Sequence, residues 1–266
     1  MAVKISVITA TRNCAGTLPE CLAAVAGQSY AEREHIVIDG TSTDGTLSLL
    51  EAHSPKLAVL VSEPDLGIYD ALNKGLMRAS GEVVGFLNAD DVYADRDVLA
   101  RIAAAFADPA VDAVYGDLVY LTKGSGDRVI RYWRAGAFEP SRLCWGWMPP
   151  HPTLYLRRAL YDRHGAYDLR YRVSGDYDLM LRVLSQLSGR VVYLPQVLVR
   201  MRLGGISNGS LVKLARKSRE DYRVLREHGM GGLGALTWKN LSKVPQFWHR
   251  EKTGEEPQAA LVWPLP

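Results

Sequence analysis

Short apolar runs alternate with helical segments through the first ninety residues, and this alternation limits the possible folds more than any other feature. Strands are predicted at residues 4–10, 35–39, 57–61 and 83–87, and helices at 17–26, 47–52 and 69–78, the last with Ile68, Leu72, Leu76 and Met77 facing inward. Alternating strands and helices are typical of βαβ units in a parallel sheet, where ligands bind at the carboxyl ends of the strands. The sequence therefore predicts an α/β fold with a site at that edge.

The segment GEVVGFLNADD, residues 81–91, ends in polar side chains. Its apolar run predicts a buried strand that delivers Asn88, Asp90 and Asp91 to its carboxyl end. Two adjacent acids at this position repel each other unless something compensates them, and a hard divalent cation is a usual partner. An ordinary loop or helix N-cap, in which the carboxylates accept backbone N–H groups, is the alternative. The eleven residues alone do not distinguish the two.

Composition excludes several classes of protein. With 266 residues and 47% hydrophobic content, the chain can bury the core of one large α/β domain with an appendage. A net charge of +3 argues against nucleic acid as the main partner. Three cysteines, Cys14, Cys21 and Cys144, fit neither a disulfide framework nor a zinc site and indicate a reducing compartment. The N-terminus resembles neither a signal peptide nor a membrane span, so we expect a soluble or peripheral protein.

Polar residues also follow the other predicted strands. Asp39 and Asp44 flank a loop where a nucleotide would lie, although Asp-Gly pairs are ordinary turn formers. On the predicted helix 69–78, Asp70, Asn73 and Lys74 suit either a solvated face or the binding of a phosphate.

Four ordered motifs, VITATRN, VIDGTSTDGT, EPDLGIYDALNKG and FLNADD, resemble the nucleotide-binding half of family-two glycosyltransferases with the GT-A fold. The resemblance is strongest to the bacterial group that builds surface polysaccharides and glycolipids, and it covers about residues 3–207. It implies a mostly parallel central sheet flanked by helices. It also implies a catalytic domain at 1–208, with a nucleotide-sugar half at 1–121 and an acceptor half at 122–208, before a basic helical extension and tail at 209–266.

The resemblance also implies site residues. The residues that would contact the donor nucleotide are Thr9, Thr11, Asn13, Asp39, Asp70, Asn73, Lys74, Asn88 and Ala89. Mg²⁺ or Mn²⁺ would be held against the diphosphate by Asp90, with Asp91 either ligating through water or orienting the loop. Asn88 stands where the family pattern has an Asp, which leaves Asp90 as the better metal candidate.

Asp176 lies at the start of a helix predicted over 177–184, in YRVSGDYDLMLRV. An N-cap is one interpretation of this position. The resemblance implies instead that Asp176 is the general base, and Gly175 replaces the usual preceding Glu, so that a second carboxylate is expected to be absent. Direct displacement at an anomeric carbon needs a base opposite the leaving group. Because we identify no enzymic nucleophile for a double displacement, we expect inversion.

Four further residues are candidate substrate contacts. His151 lies between prolines, where the resemblance implies a substrate or diphosphate contact, and the alternative is a neutral histidine bonded to backbone. Trp145 and Trp147 either pack in the core, which is the commoner fate of tryptophan, or stack on a sugar. Arg202, with the Gly204–Gly205 turn, could close over a diphosphate, although flexible surface loops have the same composition.

Nine Lys or Arg residues lie between residues 211 and 250, among apolar residues near helical spacing that include Trp238. A basic amphipathic helix suits the surface of an anionic membrane. A helix packed on the catalytic domain with a solvated basic face fits equally. The final residues, 254–266, are expected to be a poorly ordered tail.

Together these features predict an inverting, metal-dependent hexosyltransferase. It would move a sugar from a nucleotide-sugar donor to a glycan or lipid-linked acceptor, in the cytoplasm or on the inner face of the plasma membrane. A non-catalytic nucleotide- or sugar-binding protein on the same fold is one alternative. A nucleotidyltransferase is another, but VITATRNCAG does not resemble its expected glycine-rich, basic phosphate loop.

Overall fold

The described residues of the computed structural model are 2–122, 128–202, 211–242, 246 and 261–263, and they contain one ten-stranded sheet. Its strands are β1 Ile5–Thr11, β2 Arg33–Asp39, β3 Val59–Ser62, β4 Val83–Phe86, β5 Asp91–Tyr93, β6 Val111–Leu121, β7 Val129–Trp133, β8 Tyr155–Arg157, β9 Arg190–Arg202 and β10 Leu261–Trp263. The strand order is β10-β9-β6-β8-β4-β1-β2-β3, with β5 beside β9 and β7 beside β6.

Helices cover the sheet. They are α1 Leu18–Ala26, α2 Thr46–His53, α3 Ile68–Leu76, α4 Val98–Phe106, α5 Arg158–His164, α6 Gly175–Leu184, α7 Leu211–Glu227 and α8 Leu233–Leu241. Short 3₁₀ helices span Ser54–Lys56, Pro140–Trp145 and His151–Thr153. Each strand and helix predicted between residues 4 and 87 is confirmed, with bounds shifted by at most two residues.

Parallel pairing characterises the N-terminal part of the sheet. There β1 pairs in parallel with both β2 and β4, and β2 pairs in parallel with β3. Beyond β4 the sheet is mixed, because β8 is antiparallel to β4 and β6 while β6 and β9 are parallel. Since β1, β2 and β4 run in one direction, the polar residues that follow them meet at one edge.

Helix α3 packs closely on β1. Tyr69, Leu72 and Gly75 form its buried face, and a Cβ added to Gly75 would lie 2.4 Å from Ile8 Cγ2. The prediction that Ile68 and Met77 face inward is wrong, since they are 45% and 75% exposed. The inward face follows the spacing of Tyr69, Leu72 and Gly75, which turns both residues toward solvent.

The C-terminal part differs from the prediction in two ways. The apolar runs at 191–194 and 197–201 predict two strands, but they form the single strand β9, whose register against β6 shifts between Gly116 and Asp117. Within the expected tail, β10 pairs with β9 in antiparallel fashion. The predicted turns at 124–127 and at Gly204–Gly205, and most of the stretch after residue 242, lie outside the described residues. None of the helices within the described ranges is long and apolar enough to cross a membrane.

Candidate active site

A hydrogen-bonded carboxylate organises the edge where β1 and β2 end. Asp39 is fully buried, and it accepts hydrogen bonds from Thr11 Oγ1 at 3.0 Å, Ser42 N at 2.9 Å and Ser62 Oγ at 2.7 Å. Burial raises the pKa of Asp39, but these hydrogen bonds outweigh it and the pKa lies below its ordinary value. Thr11 and Asp39, two of the predicted nucleotide contacts, therefore lie together and buried at this edge of the sheet.

Asn13, a third predicted nucleotide contact, lies on an exposed turn beside Ser42. Its φ of 49° is in the left-handed region, which Asn tolerates better than most residues, and its Oδ1 accepts a hydrogen bond from Thr43 N at 2.8 Å. Thr9, in contrast, is fully buried and its Oγ1 lies 3.0 Å from His35 Nε2. Because its side chain is enclosed between β1 and β2, we do not retain Thr9 as a nucleotide contact.

The three polar residues of α3 hold neighbouring segments. Asp70 Oδ2 accepts a hydrogen bond from Leu66 N at 3.0 Å, and it pairs with Lys74 at 3.2 Å. Lys74 Nζ also donates to Pro64 O at 2.7 Å. Both amide atoms of Asn73 bond the backbone of Tyr167, each at 2.9 Å. A freely solvated face is therefore wrong for these residues, and a phosphate contact at Lys74 stays a prediction.

The two adjacent acids after β4 lie in different environments. Asp91 is fully buried at the start of β5, where Asn88 Nδ2 donates to its Oδ2 at 2.7 Å. Burial raises the pKa of Asp91 well above its ordinary value, and the charge of Asp90 adds to the effect. Asp90 is half-buried, while Ala89 is 8% exposed. The Asn88–Asp91 hydrogen bond thus shapes the turn, and Asp90 is the more accessible acid.

The turn has the chemistry of a divalent cation site. Asp91 Oδ1 is buried and finds no hydrogen-bond partner in the part of the chain that the structure describes, and the carboxylate of Asp90 lies close enough to raise its pKa. Within the described ranges, no group of three or more His, Cys, Asp or Glu side chains is arranged to hold a metal. Mg²⁺ bound through one or two carboxylates and substrate phosphates needs no such group, so Asp90 and Asp91 fit this ion type.

Asp176 lies in the first turn of α6. The N-cap position belongs to Ser174, so the N-cap interpretation of Asp176 is wrong. Tyr69 Oη donates to Val173 O at 2.7 Å and lies 3.3 Å from Asp176 Oδ1. A Cβ added to Gly175 would lie 2.8 Å from the Tyr69 ring. The space that a Glu would need at 175 is therefore taken by Tyr69, which bonds the candidate base itself.

His151 lies between the two acidic regions. Its Nε2 is 2.6 Å from Tyr167 Oη, and its ring stacks on Phe86 with centroids 5.5 Å apart. Burial lowers the pKa of His151, and the nearby charge of Asp176 opposes that shift. The ring is thus a neutral imidazole whose partner is a tyrosine hydroxyl instead of the backbone.

Tyr120 connects the two acidic regions electrostatically. Burial raises the pKa of this half-buried residue on β6, and the charge of Arg131 opposes that shift. The smaller influences of Asp91 and Asp176 both raise the pKa. The charges of Asp91, after β4, and of Asp176, in the first turn of α6, therefore both influence the Tyr120 side chain.

The remaining candidates are more peripheral. Trp145 is 58% exposed, so the expectation that it packs in the core is wrong, because it ends an exposed 3₁₀ helix. Trp147 is half-buried, packs against the rings of Tyr115 and Phe138 and agrees with the core interpretation. Arg202 forms an ion pair with Glu20 on α1.

Sequence reasoning missed the tyrosines of this site. Tyr69 bonds Asp176, and the charge of Asp176 raises the pKa of both Tyr120 and Tyr167. Only Tyr69 lies within a recognised motif. Their positions depend on contacts with distant segments, which a local sequence pattern does not reveal: Tyr69 lies 107 positions from Asp176, and Tyr167 lies 94 positions from Asn73.

Comparisons with known proteins identify related sequences. Residues 6–167 match the family profile described as "Glycosyl transferase family 2". A "PGL/p-HBAD biosynthesis glycosyltransferase" of Mycobacterium tuberculosis is 35% identical over 212 residues, which are 78% of this chain and 80% of that protein.

Two solved structures share the fold. Staphylococcus aureus TarS 1-349 in complex with UDP-GlcNAc has a TM-score of 0.62 at 22% identity, covering 85% of this chain and 65% of that one. A mannosyltransferase from Pyrobaculum calidifontis in complex with GDP-Man and Mn²⁺ has a TM-score of 0.66 at 22% identity, covering 93% and 74%.

Proposed function

The chain belongs to glycosyltransferase family 2, and from this premise we propose that it is an inverting, metal-dependent hexosyltransferase. Its donor would be a nucleoside-diphosphate sugar, and its acceptor a hydroxyl of a glycan or a lipid-linked molecule. The observation that carries the proposal is a continuous set of contacts from the end of β4 to Asp176. His151 stacks on Phe86 and bonds Tyr167, whose ring stacks on Tyr69 with centroids 5.3 Å apart, and Tyr69 bonds Asp176. A donor bound at the edge after β4 would then present its sugar toward the start of α6.

The donor nucleotide would lie over the edge formed by Thr11, Asn13 and Asp39, with Asp70, Lys74 and Asn88 as further candidates along the same edge. Asp90, supported by Asp91, would hold Mg²⁺ or Mn²⁺ against the diphosphate. Such a cation, when bound, supplies positive charge where negative charge grows on a departing diphosphate.

Asp176 would act as the general base. The acceptor oxygen forms a bond to the anomeric carbon, while the bond from that carbon to the diphosphate oxygen breaks and leaves its electron pair on the diphosphate. The acceptor proton passes to the carboxylate of Asp176. A half-buried carboxylate that bonds Tyr69 is available for this transfer. One displacement on the face opposite the leaving group inverts the anomeric carbon.

The acceptor and location follow from weaker support. The name of the mycobacterial relative refers to PGL/p-HBAD biosynthesis, and we propose an acceptor in cell-surface polysaccharide or glycolipid assembly. We also propose a cytoplasmic protein that binds peripherally to the inner face of the plasma membrane. Leu233, Trp238 and Leu241 support this, since all three are more than half exposed on α8 next to the basic helix α7.

The proposed function is tested by donor hydrolysis, which needs no knowledge of the acceptor. A panel of nucleotide sugars that includes UDP-GlcNAc and GDP-mannose is incubated with Mg²⁺ or Mn²⁺, and the released sugar is examined at once by proton NMR. We expect metal-dependent hydrolysis of at least one donor, with a sugar of inverted anomeric configuration.

Replacement of the base separates chemistry from binding. Asp176→Asn should slow hydrolysis by about 100-fold or more, while the affinity for the nucleoside diphosphate stays within about twofold because Asp176 holds no part of the nucleotide. Asp162→Asn, which removes an exposed carboxylate from α5, is the matched control. Full activity in Asp176→Asn would rule out the base assignment, and a retained anomeric configuration would rule out inversion.

A further inference from the structure

Helix α7 supplies two carboxylates to the segment that precedes the candidate base. Glu220 Oε2 accepts three consecutive backbone N–H groups, from Arg172 at 3.1 Å, Val173 at 2.8 Å and Ser174 at 3.0 Å. Hydrogen bonds to an ionised acceptor are about twice as strong as neutral ones. One side chain thus fixes the backbone direction of three residues that end two positions before Asp176.

Asp221 holds the same segment from the neighbouring position. Its Oδ1 accepts the hydroxyl of Ser174 at 2.7 Å, and its Oδ2 pairs with Lys217 at 2.7 Å and with Lys239 at 3.0 Å. Asp221 and Lys239 are almost fully buried, and Lys239 Nζ lies 3.1 Å from the centroid of the Tyr177 ring. Helices α7 and α8 are therefore joined to the start of α6 by buried charges.

These contacts bear on the expectation drawn from Gly175. The sequence predicted that no second carboxylate assists Asp176, because Gly replaces the usual Glu. In the structure, the Tyr69 ring occupies the space beside residue 175, and carboxylates reach the residues just before it from α7 instead. The carboxylates that bind Ser174, just before Gly175, thus come from residues 46 and 47 positions further along the chain.

We propose that Glu220 is a positioning residue for the transfer reaction: by holding the amides of residues 172–174, it sets the direction in which α6 presents Asp176. Asp221 supports the same segment through Ser174. The inference rests on the proposed role of Asp176 as general base. It makes α7 a working part of the catalytic centre, in addition to any contact with a membrane.

Glu220→Gln is the direct test, because it keeps the size of the side chain and removes the charge. We expect kcat for donor hydrolysis to fall by about 10- to 100-fold, since small misplacements of a catalytic group cost rates of this order. The KM for the donor and the dissociation constant of the nucleoside diphosphate with Mn²⁺ should stay within about twofold, because Glu220 touches none of the residues proposed to bind the nucleotide.

Glu227→Gln is the matched control. Glu227 lies on the same helix and accepts hydrogen bonds from Arg170, Tyr171 and Arg223, but none from residues 172–174. The control should keep kcat within about twofold of the parent protein, because it leaves the hydrogen bonds from residues 172–174 to Glu220 in place. Ser174→Ala, which removes the Asp221 contact without changing charge, should lower kcat by a smaller factor and leaves the inference testable if Glu220→Gln does not fold.

Three results would overturn the inference. They are an unchanged kcat in Glu220→Gln, an equal loss of kcat in Glu227→Gln, and a parallel loss of nucleotide binding in Glu220→Gln. Asp176→Asn, measured alongside, separates this inference from the proposed function. An inactive Asp176→Asn with a fully active Glu220→Gln refutes the positioning role alone, whereas a fully active Asp176→Asn refutes the base assignment itself.

Discussion

Asp90 and Asp91 illustrate how the surroundings divide two identical side chains into different roles. Asp91 is enclosed and bonded to Asn88, whereas Asp90 keeps contact with solvent at the same turn. Asn88 can donate this hydrogen bond because its side chain is an amide, and an ionised Asp at 88 would repel Asp91 instead. Asn88, where the family pattern has an Asp, therefore stabilises the turn. Asp90 is the residue that we propose binds the cation.

Asp90→Asn should remove the dependence of nucleotide binding on the metal. The parent protein is expected to gain about 2.7 kcal/mol of stability when Mn²⁺ and the nucleoside diphosphate are present at 100 times their dissociation constant. Without the Asp90 carboxylate, most of that gain should be lost. Thermal unfolding with and without Mn²⁺ measures it, and Asp95→Asn, five positions further along, serves as the control. A variant that keeps the full metal-dependent gain would contradict the assignment of Asp90.

At the scale of elements, Glu34 ties together the amino ends of the parallel strands. Located on β2, it accepts hydrogen bonds from Ser6 Oγ on β1 at 2.6 Å and from Ser80 N at 2.7 Å, just before β4, and it pairs with Lys4 at 2.7 Å. Burial raises the pKa of Glu34, but the Lys4, Ser6 and Ser80 contacts outweigh it and lower the pKa to about 2. This cluster lies at the opposite ends of β1 and β2 from the candidate site.

The lowered pKa of Glu34 makes its contribution depend on pH. A free Glu titrates near a pKa of about 4.3, so the stabilisation is fully present above that pH and is lost as pH falls toward 2. Glu34→Gln should lower the free energy of unfolding by about 1–3 kcal/mol at pH 7. The difference between variant and parent should shrink below about pH 4.5.

Urea unfolding between about pH 2 and pH 7, a range that includes the window from about pH 4.3 down to about 2 in which the shift acts, measures this effect. Glu32→Gln removes an exposed carboxylate two positions away and is the control. A constant difference between Glu34→Gln and the parent protein across that range would contradict the assigned role of Glu34.

The sequence predicted the N-terminal elements well because their signals are local. Alternating apolar runs and turn residues define β1 to β4, and the acids after β4 follow from their place in the chain. The sequence did not predict the exposure of Trp145, the inward face of α3 or the continuity of β9, because each depends on packing between distant segments. The contacts of Glu220 could not be predicted for the same reason, since its hydrogen-bond partners lie 46 to 48 positions away in the chain.

At the scale of the whole molecule, α7 and α8 join the catalytic part of the chain to a candidate membrane surface. One side of α8 is buried through Ala235 and Lys239, while Leu233, Trp238 and Leu241 face solvent. Removing both helices would also remove the contacts of Glu220 and Asp221 with residues 172–174. Truncation after Asn208 would therefore mix membrane binding with damage to the candidate site, and point substitutions are the better test.

Trp238→Ser combined with Leu241→Ser should weaken binding to anionic vesicles. We expect the parent protein to sediment with phosphatidylglycerol–phosphatidylcholine vesicles and to bind phosphatidylcholine alone less well, because α8 exposes apolar side chains and packs against the basic helix α7. The double variant should lose most of this binding while it keeps donor hydrolysis. Leu169→Ser, at another exposed apolar residue, is the control. Equal sedimentation of all three proteins would contradict the membrane proposal.

The central claim is that the cation site after β4 and the base at the start of α6 act on one donor molecule. A crystal structure with Mn²⁺ and a nucleoside diphosphate, with the metal located by its anomalous scattering, tests this most directly. We expect Mn²⁺ within about 2.5 Å of an Asp90 carboxylate oxygen, and open space for one sugar ring between the terminal phosphate and Asp176. A metal bound elsewhere, or a wall of protein between the phosphate and Asp176, would contradict the claim.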